Sequence, residues 1–425
     1  MSRRLGYSLT AGVLLSIAAC VSLSSPGRRD ENVPVTKGTY QNGRDQAVRI
    51  ALGTNTPEGK ISATGRWRMW VGDSEYPVSD VAAEEWGIAA ENGRLRLARP
   101  GRTDLESGTL TAKASAANSF ILWNGKRYRG ELSITPTDSG LLVINTLSMD
   151  DYLRGVVPLE IGNRTAAELA AVQAQAVAAR TYAYKHLGGT RPFDMYSTVQ
   201  DQVYGGIDAE KPLADEGIAT TQDVVVLYAG RPINTPYHST CGGSTAGVSE
   251  VWYDQPDEPY LKPVSDRIPG TAKFFCDISP RFAWTQDFDA EGLRAVMEKY
   301  LANYTNAPKS GIGRVIDVTE QGRTPSGRLR ALDVRTESGT YILRGNDIRF
   351  VLRDPKGTIL NSTFIDVSAA KDQTGVTRLS VNGRGYGHGI GMCQWGAIGR
   401  ARAGQNYRTI LETYYPGTTI GRIAG

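Results

Sequence analysis

The sequence lacks several features that would assign a function at once. It has no basic run of the kind that nucleic-acid-binding proteins carry, and its net charge is only +4, so we expect no nucleic-acid partner. It shows no repeat of fixed period, which argues against a repeat architecture. Beyond the N-terminal segment, no apolar stretch is long enough to cross a membrane. The length of 425 residues is enough for two modest globular domains, or for one domain with an insertion.

The N-terminus has the pattern of an export signal. Two arginines precede a mostly apolar segment, residues 5–19, which is too short to span a bilayer comfortably. The segment ends with Ile17-Ala18-Ala19-Cys20, which resembles a bacterial lipobox, although leucine is more usual than isoleucine at the first position. The alternative is an ordinary signal peptide that leaves Cys20 unmodified. We expect residues 1–20 to be a lipoprotein signal peptide and the mature chain to be exported and held at a membrane by lipid on Cys20, in the periplasm or on the outer face of the cell membrane.

The remaining chain alternates between loop-like, strand-like and helical patterns. Residues 21–45 are rich in serine, proline, glycine and charge, which predicts a flexible linker. Short apolar or alternating runs predict a β-rich N-terminal part over residues 46–147, and a second β-rich segment at about 310–370. A helix is expected near 290–301. These patterns predict an α+β fold that is largely antiparallel, with a helix at its centre.

The clearest helix signal is the alanine-dense segment 165–187. Thr165 and Glu168 have the spacing of a capping box, and alanine is the best helix former. Two glycines follow and should end the helix. One stripe of the helix is apolar, and it contains Leu169, Val172, Ala176 and Ala179. We therefore expect one buried face and a mainly structural role.

Three blocks of sequence carry most of the unusual residues. The blocks, with the segments that accompany them, are Asp150–Ile161 with Ala174–Ala183; Tyr237–Gly243 with Gln202–Gly206, Trp252 and Pro259–Leu261; and Gly383–Ala397 with Tyr414–Thr418. Together and in this order they resemble the SpoIID/LytB family. The resemblance covers about residues 130–419, most of the mature chain.

The resemblance implies a protein that binds the glycan strands of peptidoglycan. In one branch of the family the members are lytic transglycosylases that cleave glycan strands stripped of their peptides, and in another they are described as enhancers of cell-wall amidases. The catalytic acid of the transglycosylases is a glutamate just after a YL-x-GVV block, which falls on Glu160 here. The leading hypothesis is thus a lytic transglycosylase. The alternative is a non-catalytic wall-binding protein with an amidase as its partner.

The chemistry of Glu160 agrees with this hypothesis. Lytic cleavage needs one carboxyl group with a raised pKa, which protonates the glycosidic oxygen and then helps the muramic 6-hydroxyl to attack the anomeric carbon. The neighbours of Glu160 in sequence are apolar, and an apolar setting raises the pKa of a carboxyl group. The simpler reading is a surface glutamate after a proline turn. Asp150 and Asp151 are interpreted as turn residues.

The blocks also provide candidates for a substrate groove. The candidate substrate-binding residues are Arg180, Gln202, Tyr204, His238, Ser239, Tyr386, His388 and Gln394. In the simpler reading the two histidines are hydrogen-bonded structural residues and the aromatic rings pack in the core. The alternating glycines around Tyr386 do not have the spacing of a dinucleotide-binding fingerprint. They instead predict a tight backbone path that presents side chains to a cleft.

Three cysteines, Cys241, Cys276 and Cys393, remain after the lipobox. A disulfide between Cys241 and Cys276 is plausible in an oxidising compartment, and it would leave Cys393 as an unpaired thiol. His238 and Cys241 also have a metal-like spacing, with Cys276 as a third ligand. Some relatives hold zinc near this histidine, but their ligands do not map cleanly here, so no cofactor is required and zinc stays open. A cysteine peptidase using Cys393 and His388 is disfavoured, since the family usually has serine at the Cys393 position.

Overall fold

The computed structural model describes residues 47–76, 84–99 and 101–423, so the predicted signal peptide and linker, including Cys20, lie outside the described residues. The fold is α+β, and nearly all strand pairs are antiparallel, which confirms the predicted class. Among the described residues, no helix combines the length and the apolar character needed to cross a bilayer.

The described part of the N-terminal region contains twelve strands. Their bounds are β1 Val48–Thr56, β2 Glu58–Ala63, β3 Trp67–Val71, β4 Ser74–Tyr76, β5 Trp86–Glu91, β6 Arg94–Ala98, β7 Leu105–Ser107, β8 Leu110–Ala114, β9 Ile121–Trp123, β10 Lys126–Tyr128, β11 Glu131–Thr137 and β12 Gly140–Leu147. Strands β1, β12, β11, β8, β3 and β4 adjoin in that order in one sheet, and β10, β9, β2, β5, β6 and β7 form a second sheet. Alternate residues of β6 and β11 are buried, as expected for strands with one face in a core.

Helices and short strands follow this region. Their bounds are α1 Met149–Ile161, α2 Leu169–His186, β13 Met195–Tyr196, α3 Pro212–Thr220, β14 Val224–Tyr228, β15 Arg231–Pro232, β16 Tyr237–His238 and α4 Val248–Val251. Helix α2 packs against α1, α3 and β14. Val172, Ala176 and Ala179 of the predicted stripe are buried, and burial extends beyond that stripe, because every residue from Ala174 to Thr181 is buried. The small alanine side chains let neighbouring elements approach α2 from several sides.

A unit with its own core is inserted between α4 and the last elements. Its elements are β17 Ala283–Asp289, α5 Ala290–Tyr300, β18 Val315–Glu320, β19 Ala331–Thr336, β20 Gly339–Arg344, α6 Asp347–Val351, β21 Ile365–Asp372 and β22 Gly375–Arg384. Leu293, Leu332 and Leu379 belong to this separate core. The unit extends beyond the β-rich segment predicted at 310–370, because β17 pairs with β22 along its whole length.

The chain then returns to the central helices. The last elements are β23 Met392–Cys393, α7 Gln394–Arg402, α8 Tyr407–Tyr414 and β24 Thr419–Arg422. Strand β24 pairs with β14, and β23 lies parallel to β16, with Tyr237 opposite Met392 and His238 opposite Cys393. Helices α7 and α8 pack on α2. The second and third sequence blocks are therefore neighbours in space.

Candidate active site around Glu160

Glu160 lies in the last turn of α1. The helix begins at Ser148, whose hydroxyl oxygen accepts a hydrogen bond from the Asp151 amide at 3.2 Å. Pro158 lies within the helix and donates no backbone hydrogen bond there. Gly162 ends the helix with φ of 75°, a conformation that favours glycine. Asp150 and Asp151, interpreted as turn residues that lead into a helix or loop at Tyr152, occupy the first turn of this helix.

Three donor groups surround the Glu160 carboxylate. Its Oε1 accepts a hydrogen bond from the Val203 amide at 3.0 Å, and the side chains of Tyr237 and Gln394 lie near enough to lower its pKa. These donors favour the ionised form, whereas burial favours the neutral acid. Burial dominates, and the pKa of Glu160 is raised above its ordinary value. Glu160 is partly buried, so it is not a freely exposed surface residue as in the simpler reading.

A chain of hydrogen bonds orients Tyr237 toward Glu160. The Tyr152 hydroxyl donates to Gln202 Oε1 at 2.9 Å, and Gln202 Nε2 donates to the Tyr237 hydroxyl at 3.0 Å. The Tyr237 hydroxyl oxygen thus accepts the hydrogen bond from Gln202. The hydroxyl hydrogen of Tyr237 remains free to be donated to the Glu160 carboxylate. Burial holds the pKa of Tyr237 well above its usual range, so it remains a donor.

Gln394 reaches Glu160 from the third block. It is the first residue of α7, and its Nε2 also donates to Gln175 Oε1 of α2 at 3.3 Å. The Trp395 amide donates to the Ser239 carbonyl at 3.0 Å, which fixes the start of α7 against the second block. The amide of Gln394 is therefore held between a scaffold helix and the candidate acid.

The alternating glycines allow the second and third blocks to lie in contact. Gly385 has φ of 82°, and a Cβ there would lie 2.6 Å from the Thr240 carbonyl oxygen. Gly391 has φ of 69°, and a Cβ there would lie 2.0 Å from the Pro236 carbonyl oxygen. A side chain at either position would push the two segments apart. The predicted tight backbone path is thus present.

His388 supports the backbone of Tyr237. Its Nδ1 accepts from the Ile390 amide at 3.1 Å, which leaves Nε2 to donate to the Tyr237 carbonyl at 2.9 Å. One nitrogen can accept while the other donates only if the imidazole ring is neutral. Burial, the largest cause, lowers the pKa of His388 well below its usual value. This histidine is a hydrogen-bonded structural residue, as in the simpler reading.

Two predicted substrate-binding residues lie in the interior. Arg180 is 1% exposed, and its guanidinium donates to the carbonyls of Val224 and Ile218, both at 3.3 Å. Tyr204 is 6% exposed, and its hydroxyl donates to Asn145 Oδ1 at 2.8 Å. Both side chains are occupied by protein groups, so their assignment to the groove is corrected here to a structural role.

The other candidates divide between the site and its surroundings. Gln202 is buried and acts through Tyr237, as described above. Ser239 is partly buried and its hydroxyl lies 3.3 Å from that of Thr240. Tyr386 is partly buried and stacks under the Arg281 guanidinium, 4.1 Å from the ring centre. The structure therefore places Gln394 beside Glu160 and Gln202 beside Tyr237, whereas the contacts above of Ser239 and Tyr386 are with Thr240 and Arg281.

The surface near Glu160 includes Leu159, which is 46% exposed. A cleft of about 740 Å³ lies elsewhere, lined by residues such as Glu250, Arg330 and Arg344, and Glu160 is not part of its lining. The predicted groove at Glu160 thus remains a prediction.

The three described cysteines converge behind this site. Cys241 Sγ lies 3.4 Å from Cys276 Sγ, and both are free thiols. Cys393 and Asp266 join them, with one donor atom from each of the four residues within 4.8 Å of the others. His238 is adjacent to Cys241 but lies outside this group. Asp266 carried no signal in the sequence, and Cys393 was considered as a nucleophile and as one of three cysteines, but not as a metal ligand.

The arrangement does not support a cysteine peptidase. Cys393 is fully buried, and its sulfur accepts hydrogen bonds from the amides of Cys241 and Gly396, both at 3.2 Å. The hydrogen bonds of the His388 ring go to Tyr237 and Ile390. The pair therefore lacks the nucleophile–base contact that such chemistry requires.

Comparisons with known proteins find matches to most of the described chain. Residues 137–228 match the family of stage II sporulation proteins, and residues 276–391 match a domain of unknown function, DUF8618. An uncharacterized protein of Brachyspira hyodysenteriae is 32% identical over 300 residues, which covers 70% of this chain and 73% of that protein. The amidase enhancer of Bacillus subtilis is 30% identical over 63% of this chain and 40% of its own length. Stage II sporulation protein D of the same bacterium is 27% identical over 65% of this chain and 75% of its own length.

Proposed function

The chain belongs to the SpoIID/LytB family, and from this membership we propose that it is a peptidoglycan lytic transglycosylase with Glu160 as its acid and base. A role at the cell wall is supported by the family as a whole. The observation that carries the finer proposal is the partly buried Glu160 carboxyl group, with its raised pKa, at the family's catalytic position.

The surroundings of Glu160 suit both halves of the reaction. Burial favours the neutral carboxyl group, which donates its proton to the glycosidic oxygen as the bond to the leaving sugar breaks. The carboxylate that forms then accepts the proton of the muramic 6-hydroxyl as that oxygen bonds to the anomeric carbon. Between these two proton transfers the carboxylate is stabilised by the donors Val203, Tyr237 and Gln394. No second carboxylate is needed, because the nucleophile belongs to the substrate.

Other residues have supporting roles in this proposal. Gln202 positions Tyr237 through its side chain, and His388 does so through the Tyr237 carbonyl. Ser239 and Tyr386 are proposed to contact the glycan beyond the reacting bond. Arg180 and Tyr204 stabilise the scaffold. No cofactor takes part in the chemistry.

A second function is favoured by one of the comparisons. A relative named amidase enhancer is 30% identical to this chain, although the chain spans only 40% of that protein. In that case the chain binds glycan without cleaving it and stimulates a separate cell-wall amidase. For either function we propose export and attachment to a membrane through lipid on Cys20. For the transglycosylase we also propose that glycan that has already lost its peptides is the preferred substrate.

Product analysis separates the two functions. The purified chain is incubated with intact wall and with peptide-free glycan, and the released sugars are identified by mass spectrometry. A transglycosylase gives 1,6-anhydromuramic ends, and more of them on the peptide-free glycan. An enhancer gives none on either substrate, but it accelerates a cell-wall amidase that is added to the digest of intact wall. Release of sugars with ordinary reducing ends would contradict the proposed mechanism, since it requires water as the nucleophile.

A further inference from the structure

The group formed by Cys241, Cys276, Cys393 and Asp266, here called the Cys3Asp cluster, is buried beneath the site. All four side chains are 0% exposed. Three segments far apart in sequence supply them, and none of the four belongs to the machinery proposed for glycan cleavage. From this cluster we infer a structural zinc site with three thiolate ligands and one carboxylate ligand, which holds the second and third sequence blocks together.

The distances within the cluster suit a tetrahedral ion. Zinc binds thiolate sulfur at about 2.3 Å and carboxylate oxygen at about 2.0–2.2 Å, so tetrahedral geometry separates two sulfurs by about 3.8 Å and a sulfur from an oxygen by about 3.5 Å. The Cys241 and Cys276 sulfurs are 3.4 Å apart, and Cys241 Sγ is 3.7 Å from Asp266 Oδ2. All four donor atoms lie within 4.8 Å of one another. Small movements would bring them to coordination distances.

The groups around the cluster orient its ligands. Asp266 Oδ1 accepts hydrogen bonds from Arg400 at 3.0 Å and from the Tyr414 hydroxyl at 2.8 Å, which leaves Oδ2 directed toward Cys241. The Cys393 sulfur receives two backbone N–H groups, at the start of α7. Hydrogen bonds of this kind to bound carboxylates and thiolates are typical of metal sites.

The charges nearby favour an anionic metal complex. Zinc with three thiolates and one carboxylate carries two net negative charges. Arg400 bonds directly to Asp266, and the fully buried Arg328 donates to the Cys241 carbonyl at 3.0 Å. The Nε and Nη1 of Arg328 have no hydrogen-bond partner among the described residues. The two guanidinium groups offset the charge of the complex. In turn, the anionic complex compensates the positive charge of the buried Arg328.

The donor set indicates which ion binds and what it does. Thiolate ligands favour zinc over magnesium or calcium, which prefer oxygen donors. Because all four positions are filled by buried protein groups, the ion has no open position for a substrate, as in structural zinc sites. Cys393 directly precedes Gln394, and Cys241 follows Tyr237 and His238 closely. The ion thus joins the segments that carry two of the hydrogen-bond donors to Glu160, whether or not Glu160 is catalytic.

The test measures metal and thiols directly. The full chain with Cys20→Ser is purified from zinc-supplemented medium and dialysed against a weak chelator. We expect one zinc per chain by elemental mass spectrometry, and three free thiols on titration in denaturant with a strong chelator. Exchange with Co²⁺ should give the intense thiolate-to-cobalt absorption of a tetrahedral site. A chain that binds neither ion, or a non-reduced peptide map with a disulfide between any two of the three cysteines, would overturn the inference.

Variants then test the ligand set. Asp266→Asn should weaken zinc binding at least about tenfold, because even the loss of an outer partner costs 10–100-fold. Cys393→Ser should lower the intensity of the cobalt absorption, since one thiolate is lost. His238→Gln should keep one zinc per chain. If His238→Gln loses the zinc while Asp266→Asn keeps it, the assigned ligands are wrong. The measurements on the unmodified cluster remain decisive if a variant fails to fold.

Discussion

Replacing Tyr237 with phenylalanine tests how the carboxyl group of Glu160 is tuned. Tyr237→Phe keeps the ring but removes the hydroxyl that donates to Glu160 and accepts from Gln202 at 3.0 Å. The hydroxyl favours the ionised form of Glu160, so its loss should raise the pKa of Glu160 further. The acid form, which starts the reaction, then persists to higher pH. We therefore expect the alkaline side of the rate profile to move to higher pH.

The size of this effect follows from the hydrogen bond that is lost. A hydrogen bond to a charged group contributes about 1.5–3 kcal/mol, or roughly 10- to 100-fold in the ionisation equilibrium. Val203 and Gln394 remain as donors, and water can replace part of the contact, so we expect a value near tenfold. At a fixed alkaline pH, the activity of Tyr237→Phe relative to its own plateau should exceed that of the unmodified protein by this factor.

The assay is kcat/KM for release of anhydro-sugars from peptide-free glycan, measured across the pH range. Tyr300→Phe, at the end of α5 in the inserted unit, removes a hydroxyl away from the site and serves as the control. Its profile should match that of the unmodified protein. An alkaline limb of Tyr237→Phe that stays in place, or moves to lower pH, would refute the assignment of Tyr237 as a donor to a catalytic Glu160.

Three further predictions concern the scaffold and the anchor. Gly155→Ala should destabilise the fold by about 1–3 kcal/mol in denaturant unfolding, because its Cβ would lie 2.4 Å from the Tyr204 ring, whereas Gly189→Ala, which meets no atom within 4 Å, should not. Glu168→Gln should spare activity and lower the free energy of unfolding by about 1 kcal/mol or less. Glutamine can still accept the capping hydrogen bond from the Thr165 amide, and Arg402, whose ion pair is lost, is half-exposed. Cys20→Ser should release the protein from membranes on fractionation, and unchanged membrane association would exclude the lipid anchor.

Local patterns predicted the elements that depend on neighbours in sequence. The alternating runs of the N-terminal region became strands, and the alanine-rich segment with Glu168 became α2. The raised pKa of Glu160 agrees with the prediction, but its carboxyl group meets Val203, Tyr237 and Gln394 from distant segments, which its apolar neighbours in sequence did not indicate. The burial of α2 on nearly all sides was likewise not predictable, since alanine is compatible with both an exposed and a buried face.

The errors concern residues whose partners come from distant segments. Arg180 resembles a binding residue because arginine is rarely buried, yet carbonyls some forty residues away satisfy its guanidinium. Cys393 and Asp266 lie 127 positions apart, and only the folded chain brings them to Cys241. The extent of the inserted unit was missed for the same reason, because its first and last strands pair with each other.

The most direct measurement is the rate of anhydro-sugar release by Glu160→Gln on peptide-free glycan. Glutamine keeps the shape of the side chain but delivers no proton, and general acid–base catalysis contributes about 10²–10⁴-fold. We expect a loss of at least that size with glycan binding retained, while Glu216→Gln, an exposed glutamate on α3, keeps the full rate. Release by Glu160→Gln at the rate of the unmodified protein would contradict the assignment of Glu160 as the catalytic acid.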